Sequence, residues 1–149
     1  MINIFLILRL LIGCLLVFSS SQKLFSPYQN FLLVIHSYGL FSYPVDDVIA
    51  WTLPWIELFL GVFLILGLWL KGTLKAALLL FIGFMAVIAQ ALIRKLPVND
   101  CGCFGEGFSL PLQGILSVDS LISFMIVLLM FNLQRTSQFS LDRYFENNG

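Results

Sequence analysis

Two cysteines separated by one glycine are the most reactive residues of the chain. Residues 99–105 read Asn-Asp-Cys-Gly-Cys-Phe-Gly and lie between two very hydrophobic segments. Cys101 and Cys103 could close a small disulfide ring with constrained torsions, and a constrained disulfide is more easily reduced. The spacing therefore favours thiol–disulfide exchange, with a static bridge, a pair of free thiols and metal binding as the alternatives. Arg94 and Lys95 precede the pair, and their positive charge favours the thiolate that exchange requires.

Charged side chains within the apolar segments are the second chemical feature. Each would cost ~2.5–3.5 kcal/mol on an insertion scale if it lay at the centre of a bilayer. Glu57 follows Pro54 in one apolar segment, Lys23 ends another and Arg94 ends a third. We expect Lys23, Glu57 and Arg94 to meet close to the cysteines at one face of the membrane. In the functional interpretation, Glu57 accepts a proton beside the thiol pair, and the cations lie next to both. The alternative is an ion pair that only holds the helices together.

The composition indicates the solvent in which these residues must lie. Of the 149 residues, 60% are hydrophobic and only 11% are charged, and the formal net charge is zero. Soluble domains carry roughly 25% charged residues, so we expect a chain that is solvated by a lipid bilayer. The sequence has no basic run, and it gives no support to nucleic-acid binding.

Four segments are long and apolar enough to cross the membrane, and they must be helices because backbone groups in lipid pair internally. They cover about Ile2–Leu24, Val48–Leu70, Leu74–Arg94 and Val118–Leu133. Apolar residues at helical spacing in the loop 25–47 predict a short helix on the membrane surface. The predicted fold is therefore all-α: an integral membrane four-helix bundle with a short interfacial helix in the first outer loop. It forms one transmembrane domain over residues 1–133, followed by a polar C-terminal tail over residues 134–149.

Several single residues in and around the spans receive structural interpretations. Thr73 is expected to be the N-cap of the third span, and Ser117 that of the fourth. Asp119 would then lie at the positive end of the fourth helix dipole. Arg9 is expected to snorkel to lipid headgroups, and Cys14 to pack as a small hydrophobic side chain in the bundle.

The distribution of cations predicts an orientation. Four spans place both termini on the same side, and the positive-inside rule favours the side with more Lys and Arg for the cytoplasm. The cysteine loop then faces the outside, which in a bacterium is an oxidising compartment. The count favours cytoplasmic termini by one residue: Lys71, Lys75, Arg135 and Arg143 against Lys23, Arg94 and Lys95.

Motifs in several of the predicted helices and in the cysteine loop together resemble a known family. They are Arg9, the Ser20–Ser21 to Lys23 end of the first helix, Pro54-x-x-Glu57-x-x-x-Gly61, and Arg94 ahead of Asp100-Cys101-Gly102-Cys103-Phe104-Gly105. Over about residues 1–133 the chain resembles the methylamine-utilisation membrane protein family (MauE type), which lies close to the DoxX-like membrane proteins. The resemblance implies a multi-pass protein of the bacterial inner membrane, working with a periplasmic thioredoxin-like partner. Its role would be to aid thiol–disulfide exchange or the maturation of an extracytoplasmic, methylamine dehydrogenase-like client.

Three functions follow from these residues. In the leading hypothesis a thioredoxin-like partner exchanges with Cys101 or Cys103 through a mixed disulfide, as part of a membrane thiol–disulfide oxidoreductase. By analogy with other four-helix thiol oxidoreductases a quinone in the bundle could accept the electrons, although no residue requires one. The main alternative is a protein that binds or transports a soft metal such as mercury or copper, since soft thiolates select such ions. The third function is a scaffold of a larger respiratory complex, which predicts that both cysteines can be replaced without loss of function.

Overall fold

The computed structural model describes residues 4–39, 43–95 and 112–133, and this part of the chain is almost entirely helical. Its five helices are α1 (Ile4–Phe25), α2 (Tyr28–Ser37), α3 (Val45–Leu66), α4 (Leu70–Ile93) and α5 (Leu112–Phe131). Four of them, α1, α3, α4 and α5, are long and apolar enough to cross a membrane. The predicted all-α bundle of four spanning helices, with a short fifth helix in the first long loop, is confirmed. The predicted C-terminal tail lies outside the described residues.

The ends of α3 show how local sequence sets the length of a helix. It begins after Pro44, and Asp46 and Asp47 lie in its first turn, where carboxylates interact favourably with the positive end of the helix dipole. It ends at Gly67, which has a φ of 70° and donates its N–H to the carbonyl of Phe63 at 2.8 Å. Only glycine adopts this left-handed conformation without steric cost, so the helix stops there.

Both predicted N-caps are wrong. Thr73 and Ser117 both lie inside helices rather than at their starts. The Thr73 hydroxyl donates to the carbonyls of Leu68 and Trp69 at 2.9 and 3.1 Å, and the Ser117 hydroxyl donates to that of Gln113 at 3.0 Å. Hydroxyls that bond back to an earlier turn are compatible with a helix interior, so neither residue had to begin a helix.

The spanning helices pack as two pairs. α1 packs most extensively against α3, and α4 against α5, with fewer contacts between the pairs. The α1–α3 crossing is close because a glycine lies on each side: a Cβ added to Gly13 would lie 3.1 Å from the carbonyl oxygen of Gly61. Small residues that let backbones approach are the usual means of helix association in lipid, where hydrophobic burial gives no driving force between helices.

One end of the bundle is covered by α2, and we call it the α2 end. There α1 and α4 finish, and α3 and α5 begin. Tyr38, directly after α2, is buried against Ile88 and Ala91 near the end of α4 and Ile115 near the start of α5. The short helix is therefore part of the bundle and closes it at this end.

The outward surface of the spanning helices is apolar, which is compatible with contact to lipid. Cys14 lies on this surface and is exposed, so the interpretation of Cys14 as a packed core residue is wrong. Large hydrophobic side chains are exposed on every spanning helix, among them Phe18, Phe59, Leu79 and Phe124.

Candidate functional site

A buried ion pair between α1 and α3 forms the centre of the site. Lys23 Nζ lies 2.5 Å from Glu57 Oε1, and each side chain is only 1% exposed. α1 and α3 run antiparallel, so the last turns of α1 lie beside the middle of α3. The sequence prediction that Lys23 and Glu57 come together is confirmed for these two residues. Because a buried charge is costly unless it is paired, the contact explains how both are accommodated between the helices.

Further groups complete the surroundings of this ion pair. Ser19 lies one turn before Lys23 on α1, and its hydroxyl donates to Glu57 Oε2 at 3.5 Å. Lys23 Nζ also lies 5.3 Å from the centre of the Phe31 ring and 5.2 Å from that of Phe84. Both distances fall within the range of cation–π attraction. Phe31 comes from α2 and Phe84 from α4, so three helices besides α1 contribute to the environment of the lysine.

A second carboxylate, Asp119 of α5, lies at the same level of the bundle. It is 1% exposed, and within the described residues its Oδ2 has no hydrogen-bond partner. Asp119 lies within electrostatic range of both Lys23 and Glu57. With Ser19 and Glu57 it lines a cavity of about 10 Å³ whose other lining residues, among them Phe84, are apolar. A cavity of this size admits roughly one water molecule.

Sequence reasoning missed Asp119 as a member of the site. It was expected in the first turn of the fourth helix, but α5 begins at Leu112, so Asp119 lies about two turns inside the helix. The signal that could have found it was present: an acidic residue followed by a long apolar run needs a partner in a bilayer. The site thus holds two carboxylates and one ammonium group rather than a single pair.

The other predicted site residues do not join this group within the described chain. Arg94 is exposed at the end of α4, where its guanidinium nitrogens lie 3.2–3.3 Å from the side-chain amide of Gln90. Cys101 and Cys103 lie outside the described residues, so their proximity to Lys23 and Glu57 stays a prediction. Within the ranges 4–39, 43–95 and 112–133 there is no group of three or more His, Cys, Asp or Glu side chains that could hold a metal ion.

Arg9 is at the opposite end of the bundle, and its predicted snorkelling is wrong. The residue is 2% exposed, and Nη2 donates to the carbonyl of Ile65 at 3.5 Å. Ile65 lies in the last turn of α3, where carbonyl groups lack helical partners and carry the negative end of the helix dipole. Arg9 therefore connects α1 to the end of α3 instead of reaching toward lipid headgroups.

Polar contacts fix α2 to the start of α3 above the ion pair. The Tyr28 hydroxyl donates to Asp47 Oδ1 at 2.5 Å, and this hydrogen bond raises the pKa of Tyr28 to about 12. His36 Nδ1 lies 2.9 Å from Asp46 Oδ2, whose side chain is 4% exposed. These contacts hold α2 where Phe31 can reach Lys23.

Four spanning helices that enclose ionisable side chains define a multi-pass membrane protein with a polar site inside its bundle. The family model described as methylamine utilisation protein MauE matches residues 1–133. The chain therefore belongs to the MauE family, as the sequence motifs indicated. No curated protein and no solved structure matches it.

Proposed function

We propose that this MauE-family protein is the membrane component of a thiol–disulfide exchange reaction that helps an extracytoplasmic client acquire its disulfides. The client we propose is a methylamine dehydrogenase-like protein. The observation that carries the proposal is the buried Lys23–Glu57 ion pair near the α2 end. This is the end where α4 finishes and α5 begins, and the segment joining those two helices contains Cys101 and Cys103.

Covalent connectivity limits how far the thiols can be from this end. Cys101 follows Lys95 by six residues in the sequence. A fully extended chain spans at most ~3.6 Å per residue, so its α-carbon lies within roughly 22 Å of that of Lys95. This supports a reaction on the side of the membrane where the Lys23–Glu57 pair lies nearest to the surface.

The proposed exchange proceeds through a mixed disulfide. A thiolate of a thioredoxin-like partner attacks one sulfur of the Cys101–Cys103 disulfide, breaking that S–S bond and releasing the other cysteine as a thiolate. The second thiolate of the partner then attacks the mixed disulfide, and the partner leaves oxidised. Two electrons and two protons have then passed from the partner dithiol to Cys101 and Cys103.

The charged residues have distinct roles in this proposal. Arg94 and Lys95 stabilise the thiolate that forms when the ring opens, since nearby cations favour the ionised form. Glu57 takes up and releases protons of the dithiol, and Lys23 holds its carboxylate in place. Reoxidation of the dithiol needs an acceptor of two electrons and two protons, for which a quinone in the membrane is the class we propose.

The compartment of the reaction follows from the proposed orientation. With the termini in the cytoplasm, the α2 end faces the periplasm of a bacterial inner membrane. A periplasmic thioredoxin-like protein could then reach the cysteines directly, and its own client would be oxidised in the same compartment. Oxidation on this side is chemically reasonable because disulfides persist in the periplasm.

Trapping the mixed disulfide in cells tests the proposal. Cys101→Ser and Cys103→Ser each leave one thiol, which can attack the disulfide of the oxidised partner but has no neighbouring cysteine to displace that partner afterwards. We therefore expect one of the two variants to accumulate a reducible adduct with a thioredoxin-like protein on non-reducing gels. Cys14→Ala is the matched control, because Cys14 is a thiol exposed toward lipid, and it should leave the adduct unchanged.

Labelling with a membrane-impermeant thiol reagent distinguishes the proposed exchange from metal binding. The proposal expects Cys101 and Cys103 to react only after reduction. Free thiols that soft metal ions protect from the reagent would instead support metal binding. Full client maturation in the Cys101→Ser/Cys103→Ser variant would exclude exchange chemistry and leave a scaffold role.

A further inference from the structure

Three ionisable side chains meet at one level of the bundle, and their charges do not balance. Lys23 contributes one positive charge, while Glu57 and Asp119 are two carboxylic acids. Lys23 Nζ contacts Glu57 Oε1 directly, and Asp119 Oδ2 has no hydrogen-bond partner among the described residues. If both acids were ionised, the cluster would carry a net negative charge inside a membrane-spanning bundle.

Among the described residues, the groups that surround Asp119 supply no second cation to correct this imbalance. α1 contributes Lys23 and the hydroxyl of Ser19, and α3 contributes Glu57. The part of α4 that lines the cavity contributes only the aromatic rings of Phe81 and Phe84. Lys23 and Glu57 are the two charges that act on Asp119 in the described part of the chain.

We propose that Glu57 and Asp119 together bind one proton, so that the cluster of Lys23, Glu57 and Asp119 is electrically neutral inside the membrane. The reason is that an uncompensated buried anion is costly, and two carboxylates close to one another cannot both ionise easily. The proton belongs to the pair, since groups coupled this strongly titrate as a unit.

The small cavity gives the proton a place to move. Ser19, Glu57 and Asp119 all line it, and it admits roughly one water molecule. The carboxylate on α3 and that on α5 thus border the same cavity, and the cluster is a proton-binding site in its own right.

Counting protonated carboxylic acids by infrared spectroscopy tests the charge balance. The purified protein in detergent at neutral pH should show one protonated carboxyl band attributable to the cluster. Asp119→Asn leaves Lys23 opposite Glu57, and Glu57→Gln leaves it opposite Asp119, so each variant should lose the band. Lys23→Gln removes the cation, so both acids should be protonated and the band should double. An ordinary ion pair with an unrelated aspartate would not give this pattern.

Matched variants distinguish an effect on the shared proton from misfolding of the protein. Lys23→Arg keeps the cation and should leave the band unchanged, and Asp47→Asn changes a carboxylate outside the cluster and should do the same. If Lys23→Gln does not fold, Lys23→Gln/Glu57→Gln leaves Asp119 as the one acid without a cation, and one protonated carboxyl should remain. Helix content by circular dichroism establishes which variants are folded.

Two results would overturn the proposal. If the Asp119→Asn variant has the same carboxyl band as the wild type, no shared proton resides on this pair. The other is a band that does not increase in a folded Lys23→Gln protein. The test is independent of the proposed thiol chemistry, because a Cys101→Ser/Cys103→Ser protein should keep the band whether or not the cysteines exchange disulfides.

Discussion

Replacing Gly61 by alanine should separate α1 from α3. A Cβ at this position would lie 2.8 Å from Cγ2 of Val17, 2.9 Å from the carbonyl oxygen of Gly13 and 3.0 Å from the backbone nitrogen of Val17. Carbon atoms pack best at ~3.5–4.0 Å, so the first contact is too short by roughly 0.7–1.2 Å. The other two contacts are with backbone atoms, which cannot rotate away, and the helices themselves must therefore move.

The expected cost follows from this geometry. Overpacking of a close contact typically destabilises by ~1–3 kcal/mol, and here the relief requires a shift of a whole helix. The same shift would carry Ser19 and Lys23 away from Glu57, so we expect a loss near the upper end of that range. The free energy of unfolding can be measured by titrating the protein with SDS in mixed micelles and following helix content.

Gly83→Ala is the matched control for this substitution. Gly83 also lies inside a spanning helix, but nothing lies within 4 Å of its added Cβ. Alanine favours the helix by up to ~1 kcal/mol over glycine, so this variant should be as stable as the wild type or more so. The reasoning is refuted if Gly61→Ala unfolds at the same SDS concentration as Gly83→Ala.

Three further variants test other contacts. Lys23→Met should lower the free energy of unfolding by up to ~3–5 kcal/mol because Glu57 loses its buried cation, and adding Glu57→Gln should recover part of the loss. The SDS titration measures both variants, and equal stability of the single and the double variant would contradict the importance of the ion pair. Asp47→Asn should lower the pKa of Tyr28 from about 12 toward 10.0, read from tyrosinate absorbance against Tyr28→Phe. Since the folded pKa is the higher one, this contact stabilises fully below pH 10.0 and its contribution is lost as the pH rises through about 12. Cys14→Ala should change the free energy of unfolding by less than ~0.5 kcal/mol, because the side chain is exposed toward lipid; a larger loss in the SDS titration would mean that the thiol makes packing contacts after all.

Much of the fold could be predicted because the constraint from lipid is strong. A run of apolar residues of this length can only be a spanning helix, so all four spans were found from composition alone. Their ends were less accurate, as the fourth span shows: it was placed at Val118–Leu133, whereas α5 covers Leu112–Phe131. A polar residue such as Ser117 resembles a cap in sequence, but inside a helix it can bond to the preceding turn instead.

The candidate site was predictable only where charge marked it. Lys23 and Glu57 are rare charges in apolar segments, and helix rise put them near the same level, so their pairing followed from the sequence. The interaction of Arg9 did not, because its acceptor is the backbone carbonyl of Ile65, which no side chain marks. The start of α5 was predicted too late in the sequence, so Asp119 was assigned to the first turn of the helix. The second acid of the site was therefore not recognised.

The packing of the helices in two pairs has a consequence for assembly in the membrane. The first pair, α1 and α3, contains both Lys23 and Glu57, so the half of the protein that the ribosome makes first can balance its own buried charge. The second pair, α4 and α5, brings Asp119 to the cluster without a cation beside it on either of its own two helices. The early half can thus pair Lys23 with Glu57 on insertion, whereas Asp119 of the late half meets these two residues, and the acid with which we propose it shares a proton, only when the second pair docks against the first.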